Sequence, residues 1–295
     1  MRFTKMHGAG NDYVYINCFE EDLAGCDIGA LAAAASDRHF GIGSDGLILI
    51  EPSKIAEFRM RIFNPDGSEA EMCGNGIRCF AKYVYERGLT TKKKFTVETG
   101  GGIVEPRLYV RRKQVTRVRV DMGKPRLTRA EVPMRVKGKP GSDRVIDEPL
   151  KVRGEKVSVT CVSMGNPHCV LFVKHVKTAP VNSLGPAIEN HSAFPQRVNV
   201  EFVEVRDSSN IALRVWERGV GETLACGTGS CAAVVACNLT ERTGREVTAR
   251  LLGGELEIQW AGNDHVMLAG PAEEIYSGEF DVDALLAARP AATDT

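Results

Sequence analysis

Apolar and polar positions alternate over short stretches along much of this chain, and patterning with a period of two predicts strands. Residues 11–18 (NDYVYINC), 47–51 (LILIE), 58–63 (FRMRIF) and 94–98 (KFTVE) are rich in β-branched and aromatic side chains. Residues 107–121 (RLYVRRKQVTRVRVD) read as a hairpin of alternating apolar and basic positions. Further strands are predicted at 156–162, 169–173, 200–206, 211–216, 246–252, 255–260 and 265–269. A helical period marks 27–39, 75–87, 183–191 and 228–241. In the second of these, Ile77, Phe80, Ala81, Val84 and Tyr85 form the stripe of an amphipathic helix that stops at Gly88. The last, around SCAAVVACNL, is apolar on nearly every face, which places it inside a domain with sheet wrapped round it. Many strands and few helices predict an α+β fold with mixed or antiparallel sheets.

The pattern also repeats. RIFNPDGSEAEMCGNG (61–76) and RVWERGVGETLACGTG (214–229) align without a gap at an offset of 153. Arg61/Arg214, Glu69/Glu222, Cys73/Cys226, Gly74/Gly227 and Gly76/Gly229 are identical, and Phe63 faces Trp216. Gly10-Asn11 is echoed by Gly165-Asn166 at nearly the same offset. Composition alone predicts about 0.1 Cys-Gly-x-Gly strings in a chain like this, so two copies indicate duplication. Two homologous domains follow, with the break expected near DMGKPRLT (121–128).

Composition narrows the function. The chain of 295 residues carries 38 basic and 38 acidic side chains, and net neutrality gives no global attraction to nucleic acid or to an anionic membrane. The runs Lys92-Lys93-Lys94 and Arg111-Arg112-Lys113 read as solvated faces. The start MRFTKMHGAGNDYVYIN lacks the apolar core of a signal peptide, and no run reaches membrane-spanning length. Nine cysteines, an odd number without CxxC or zinc-knuckle spacing, point to free thiols in a reducing cytoplasm and to no bound metal. The tail ARPAATDT is expected to be disordered.

The chemistry centres on the duplicated cysteines. A helix start offers unpaired N–H groups and a partial positive charge, and it lowers the pKa of a thiol placed there. The amides of Gly74, Asn75, Gly227 and Thr228 suit a carboxylate or phosphate. Two such elements facing one ligand could remove a proton with one thiolate and return one from the other thiol on the opposite face, which inverts a stereocentre. A single Cys-Gly-x-Gly is ordinarily a packed structural thiol, and it is the duplication that reverses this for Cys73 and Cys226. Cys79, Cys231 and Cys237 lie further along the helices and read as core; Cys18, Cys26, Cys161 and Cys169 have no motif behind them. GIGSDG (41–46) and GTGSCA (227–232) match the glycine pattern of dinucleotide sites, but the first follows a helix and precedes a strand, the reverse of the required order, and the second lacks a tight strand into Gly227. Glu217 and Arg218 of ERGVGE would complement an ammonium and a carboxylate, or form an ordinary surface pair. Asn11, Asn64, Asn166 and Asn199 stand at strand ends or turns, and His168 follows Asn166-Pro167.

With these residues the chain resembles the diaminopimelate epimerase family. The matching blocks are KMHGAGNDYV, DRHFGIGSDG, RIFNPDGSEAEMCGNGIRCFAKYV, VSMGNPHCV, LGPAIENHSAFPQRVNVEF, RVWERGVGETLACGTGSCAA and GPAEEIY. The resemblance implies two pseudo-symmetric domains, each a sheet wrapped round a central helix, with the active site in the cleft between them. The last strand, after about residue 270, is then expected to return to the first domain, giving domains 1–124 plus 271–295 and 125–270. It further implies cofactor-independent conversion of LL- to meso-diaminopimelate in lysine and peptidoglycan precursor biosynthesis. Cys226 would be the thiolate and Cys73 the thiol toward the LL substrate, with His168 and Glu217 supporting catalysis. Gly74, Asn75, Gly227 and Thr228 would hold the reacting carboxylate, and Asn11, Asn64, Asn166, Asn199, Glu217 and Arg218 would contact the substrate. A homodimer is expected, with Tyr276 at its interface. The chain departs from the family at Gly46, where many members carry a glutamine that reaches substrate, so that contact is expected to be lost or replaced by water. Alternative readings are a racemase of proline or 4-hydroxyproline, and a non-catalytic module that binds amino acids or senses redox state.

Overall fold

In a computed structural model that describes residues 1–288, chain contacts divide the protein into two units, Met1–Val120 with the segment from Pro271, and Asp121–Gly270. The residues of the expected tail from Arg289 onward lie outside the described part.

The first unit begins with β1 (Arg2–Gly8) and β2 (Asn11–Asn17), followed by α1 (Ile28–Ser36), β3 (Leu47–Glu51), β4 (Phe58–Phe63) and β5 (Glu69–Ala70). Next come α2 (Gly74–Glu86), β6 (Val97–Thr99), β7 (Gly102–Val104) and the hairpin of β8 (Arg107–Arg111) with β9 (Gln114–Asp121). A strand from the far end of the chain, Glu273–Glu279, pairs antiparallel with β1 at the sheet's edge. β2 and β3 run parallel, as do β4 and β6, while β1/β2, β3/β4, β4/β5 and β6/β7 are antiparallel. Val14, Ile16, Leu31, Leu47 and Leu49 form a core with Phe3 and Phe63, each removed from water. Each such side chain contributes about 1.5–3 kcal/mol.

The second unit contains β10 (Glu148–Val152), β11 (Glu155–Ser163), β12 (Pro167–Phe172), α3 (Val181–Glu189), β13 (Asn199–Asp207), β14 (Asn210–Glu217) and β15 (Gly221–Thr223). It continues with α4 (Gly227–Leu239), β16 (Glu246–Leu251), β17 (Gly254–Trp260) and β18 (Val266–Gly270). Its pairings follow the first unit one for one. β11/β12 is antiparallel, β12/β13 parallel, β13/β14 antiparallel, β14/β16 parallel, and β14/β15 and β16/β17 antiparallel. The helices fall at equivalent places, α1 and α3 before the third strand of each series, α2 and α4 after the short β5 and β15. The protein is thus two sheet-rich pseudo-symmetric domains of mixed sheets with few helices.

The two central helices occupy the middle of their sheets. α4 packs against β11, β12, β13, β16, β17 and β18, and Cys231, Ala232, Ala233, Val234, Val235 and Ala236 are fully buried. α2 was expected to keep a polar face in water, but Arg78 and Lys82 are buried as well. Arg78 donates to the carbonyls of Gly74 (2.9 Å) and Pro271 (3.2 Å), and Lys82 to Glu86 (3.0 Å) and the Val115 carbonyl (3.2 Å). These bonds are what permit long cations in a wrapped helix.

One other expectation is corrected, and one strand went unpredicted. The first helix ends at Ser36 rather than near residue 39, because the chain folds back on it: the N–H groups of Ile42 and Gly43 donate to the Ala35 carbonyl at 3.1 and 2.9 Å. β1 has no clear alternation because it is central and buried on both faces, its Lys5 tied to Asp12 at 2.8 Å and to the Gly43 carbonyl. Among the described residues no helix is long and apolar enough to cross a membrane.

Candidate active site

Both central helices begin on a cysteine held in the same way. β4 and β5 form a tight hairpin in which Phe63 opposes Glu69, and β14 and β15 repeat it with Trp216 opposite Glu222. Arg61 grips Glu69 with two bonds of 2.8 Å, and Arg214 grips Glu222 with bonds of 2.6 and 2.9 Å. These paired forks brace the turn that leads into each helix, which accounts for the repeated arginine and glutamate. Cys73 then caps α2, its Sγ accepting from Gly76 N–H at 3.3 Å, and Cys226 caps α4, accepting from Gly229 N–H at 3.4 Å. A thiol here takes the capping place usually held by a hydroxyl or carboxylate, and the helix N-terminus faces its sulfur.

Around Cys73 the first unit gathers a polar cluster. Tyr13 Oη donates to Sγ at 3.4 Å, and the thiol donates to Asn11 Oδ1 at 3.5 Å. Asn75 Nδ2 donates to the same oxygen at 3.1 Å. Asn11 is oriented in turn by Asp45, whose carboxylate accepts from Asn11 Nδ2 (2.8 Å) and from Asp12 N–H (3.0 Å). Arg38 bridges Asp12 (3.0 Å) and Asp45 (2.9 Å). Burial, and then the neighbouring Cys73, push the Tyr13 phenol well above its ordinary value, so it stays protonated and acts as a donor. Asn64 sits in the β4–β5 turn, its amide donating to Ser68 Oγ at 3.0 Å.

The Cys226 cluster of the second unit runs deeper. Thr228 Oγ1 lies 3.5 Å from Sγ, and Asn166 Nδ2 donates to that hydroxyl at 3.3 Å. Asn166 Oδ1 lies 3.0 Å from His168 Nε2, and His168 Nδ1 lies 2.6 Å from Glu201 Oε1. His168 and Glu201 are completely removed from solvent. Glu217 accepts from Thr223 Oγ1 at 2.5 Å, and Asn199 accepts from Arg218 N–H (2.9 Å) while donating to the Pro167 carbonyl (2.9 Å). The Arg218 guanidinium donates to the Gln196 carbonyl at 3.0 Å. The expected lowering of the thiol pKa does not hold at Cys226. Burial first, then the Glu217 carboxylate, push it well above its ordinary value and outweigh the bonds from Thr228 and Gly229.

A family model described as diaminopimelate epimerase matches residues 3–128 and 160–275. The chain belongs to the diaminopimelate epimerase family. A diaminopimelate epimerase of Pelotomaculum thermopropionicum is 55% identical over 280 residues, covering 95% of this chain and 99% of that protein. Among solved structures, a phenazine biosynthesis protein of the PhzF family from Bacillus anthracis superposes with a TM-score of 0.68 at 16% identity, covering 95% of this chain and 98% of the other. A probable proline racemase from Agrobacterium radiobacter, with bound carbonate, superposes with a TM-score of 0.67 at 15% identity, over 95% and 92% of the two chains. At such identities the structural likeness speaks for the fold.

Three residues of this diaminopimelate epimerase family member escaped the reading of its sequence. Asp45 and Tyr13 lie inside quoted blocks, but their bearing on Cys73 depends on contacts made only in the fold, Tyr13 with the thiol and Asp45 with Asn11. Glu201 had one signal, an acid inside the apolar run of VNVEFV on a strand that proves buried on both faces. Gly46 is closed to any side chain: a Cβ there would stand 2.4 Å from the Phe63 carbonyl oxygen and 3.0 Å from the Tyr13 ring. Burial holds Cys79 and Cys237 up to about 12, which fits inert thiols of the core.

Proposed function

We propose that the protein is an isomerase that epimerises LL-diaminopimelate to meso-diaminopimelate without a cofactor, in lysine and peptidoglycan precursor biosynthesis. The observation that carries this reading is the repeated cap: each central helix begins on a thiol whose Sγ accepts the N–H three residues on. In the proposed reaction the two thiols address opposite faces of one α-carbon. The Cys226 thiolate takes the α-proton; the C–H bond breaks, an S–H bond forms, and the electron pair passes into the substrate carboxylate. The Cys73 thiol then gives its proton to the other face, leaving Cys73 as thiolate and Cys226 as thiol. The N–H groups of Gly74, Asn75, Gly227 and Thr228 would meet the growing carboxylate charge, where oriented donors act most strongly.

The raised pKa of Cys226 bears on this sequence of events. In the resting protein burial keeps the thiol protonated. The thiol would give up its proton to solvent as the substrate ammonium enters beside it, since a nearby cation favours the charged form. Glu217 and Arg218 would receive the amino and carboxyl groups, with Asn11, Asn64, Asn166 and Asn199 completing the contacts and His168 acting from behind Asn166. All nine cysteines are free thiols, which fits work in a reducing cytoplasm. A second copy would join along the edge strand Glu273–Glu279, where Tyr276 and Ile275 are exposed.

Incubation with diaminopimelate in heavy water is the direct test. Solvent deuterium should enter the α-carbon, and Cys73→Ala and Cys226→Ala should each abolish net epimerisation. Full turnover in either variant sinks the mechanism, and faster exchange into proline or 4-hydroxyproline than into diaminopimelate sinks the substrate.

A further inference from the structure

We propose that Glu201 and His168 hold one proton between them as a net-neutral buried pair, and that this fixes a one-way chain of hydrogen bonds ending in a donor to Cys226. Glu201 is thereby a positioning residue, and its bearing on catalysis rests on the two-thiol reading above.

Both side chains are completely buried, with Nδ1 and Oε1 2.6 Å apart. Glu201 Oε2 is also buried and has no hydrogen-bond partner. An ionised carboxylate spreads its charge over both oxygens and needs donors at each, so an unsupported Oε2 fits a carboxyl that shares a proton. Around the pair stand Glu217 on β14, Cys226 at the start of α4 and Cys169 on β12, each neutral or negative when it titrates. Burial likewise drives Glu201 toward its protonated form. None of these neighbours supplies a cation to balance a second negative charge at this depth.

The proton on the Nδ1 side sets the rest of the chain. Nε2 keeps its own proton and donates to Asn166 Oδ1 at 3.0 Å. The Asn166 amide is then fixed with Nδ2 toward Thr228 Oγ1 at 3.3 Å. Thr228 accepts that bond, and its own hydroxyl proton is left for Cys226 Sγ at 3.5 Å. With an anionic Glu201 accepting from Nδ1–H, Nε2 would become an acceptor and Asn166 would turn over. Thr228 would then donate to the amide and the thiolate would lose that donor. The charge state of Glu201 also reaches the thiol directly. A Cβ at Gly229 would stand 2.8 Å from Glu201 Oε1 and 3.3 Å from Cys226 Sγ, so glycine lets carboxyl and thiol share one space.

The test uses the resting protein without substrate, so its outcome is separate from that of the exchange assay. Nitrogen-15 labelled histidine should show His168 Nε2 bearing a proton, with a far-downfield proton resonance at Nδ1. An unprotonated Nε2 in the wild-type protein overturns the proposal, whether or not any variant folds. Alkylation of Cys226 by iodoacetamide across pH, read by peptide mass spectrometry, gives the second measurement. Glu201→Gln replaces neutral by neutral, so the midpoint should move by less than about half a pH unit and the downfield resonance should vanish. A fall of about one unit or more means that Glu201 carries a charge and overturns the neutral pair. Thr228→Val should raise the midpoint by about half a unit or more, and a midpoint that stays or falls overturns the direction of the chain.

Discussion

Tyr13 and Gly46 act together on Cys73. The phenol is buried and points its hydroxyl at Sγ from 3.4 Å, and its ring lies where a side chain at residue 46 would begin. The thiol thus carries a protein-borne donor, and no space is left at residue 46 for a side chain of its own. Tyr13→Phe removes one bond to sulfur and little volume. The expected outcome is a drop in kcat/KM of about tenfold, corresponding to about 1.4 kcal/mol, with thermal stability changed by less than about 1 kcal/mol. The same factor should be lost from kcat/KM in the LL-to-meso and meso-to-LL directions, as the fixed overall equilibrium requires. An unchanged kcat/KM would mean that the Tyr13 hydroxyl does not act on the transition state. At this scale the duplicated cysteines stood out in the sequence because identity at a constant offset needs no structure to be noticed. Glu201 did not, because the significance of a buried acid depends on His168, which is far from it in sequence but opposes Asn199 across the parallel strands β12 and β13.

Among the elements, β1 and β2 and the loop from α1 to β3 are locked by charge. Asp12 takes Lys5 at 2.8 Å and Arg38 at 3.0 Å. Burial pushes its carboxyl upward, but the bonds from Lys5 and Arg38 outweigh it and hold the pKa below the ordinary carboxylate range. The folded state therefore binds this proton less readily than the unfolded chain. The resulting stability is present above the unfolded value near about 4 and is lost as pH falls through the lower folded value. Asp12→Asn should cost about 2 kcal/mol in denaturant unfolding at neutral pH, with the gap from wild type closing on acidification. A gap that persists unchanged into acid would show that the loss is one of packing. Most strands were legible because half-buried sheet leaves an alternating signature. β1 was not, since strands on both sides and cover on both faces erase it, and the edge strand Glu273–Glu279 was expected through the family resemblance alone because its side chains are nearly all exposed.

For the molecule as a whole, the open edge is the place to look for self-association. Ile275 and Tyr276 are 49% and 43% exposed on a strand whose outer side is unpaired among the described residues, a ready template for a second chain. Wild-type protein should sediment as a dimer, and Ile275→Lys with Tyr276→Lys as a monomer with its fold retained by circular dichroism. A wild-type monomer at micromolar concentration would remove this edge from consideration. The return of the chain to β1 carries a further consequence, for the order of events during synthesis. The N-terminal amine of Met1 donates to the carbonyl of Phe280 at 2.7 Å, and β1 cannot gain its outer neighbour until the segment after Pro271 has left the ribosome. The Asp121–Gly270 unit has all of its own residues in hand before then. The half of the protein that is translated first is therefore the last to be finished, and its Cys73 cluster waits on an incomplete sheet while the Cys226 cluster can already be assembled.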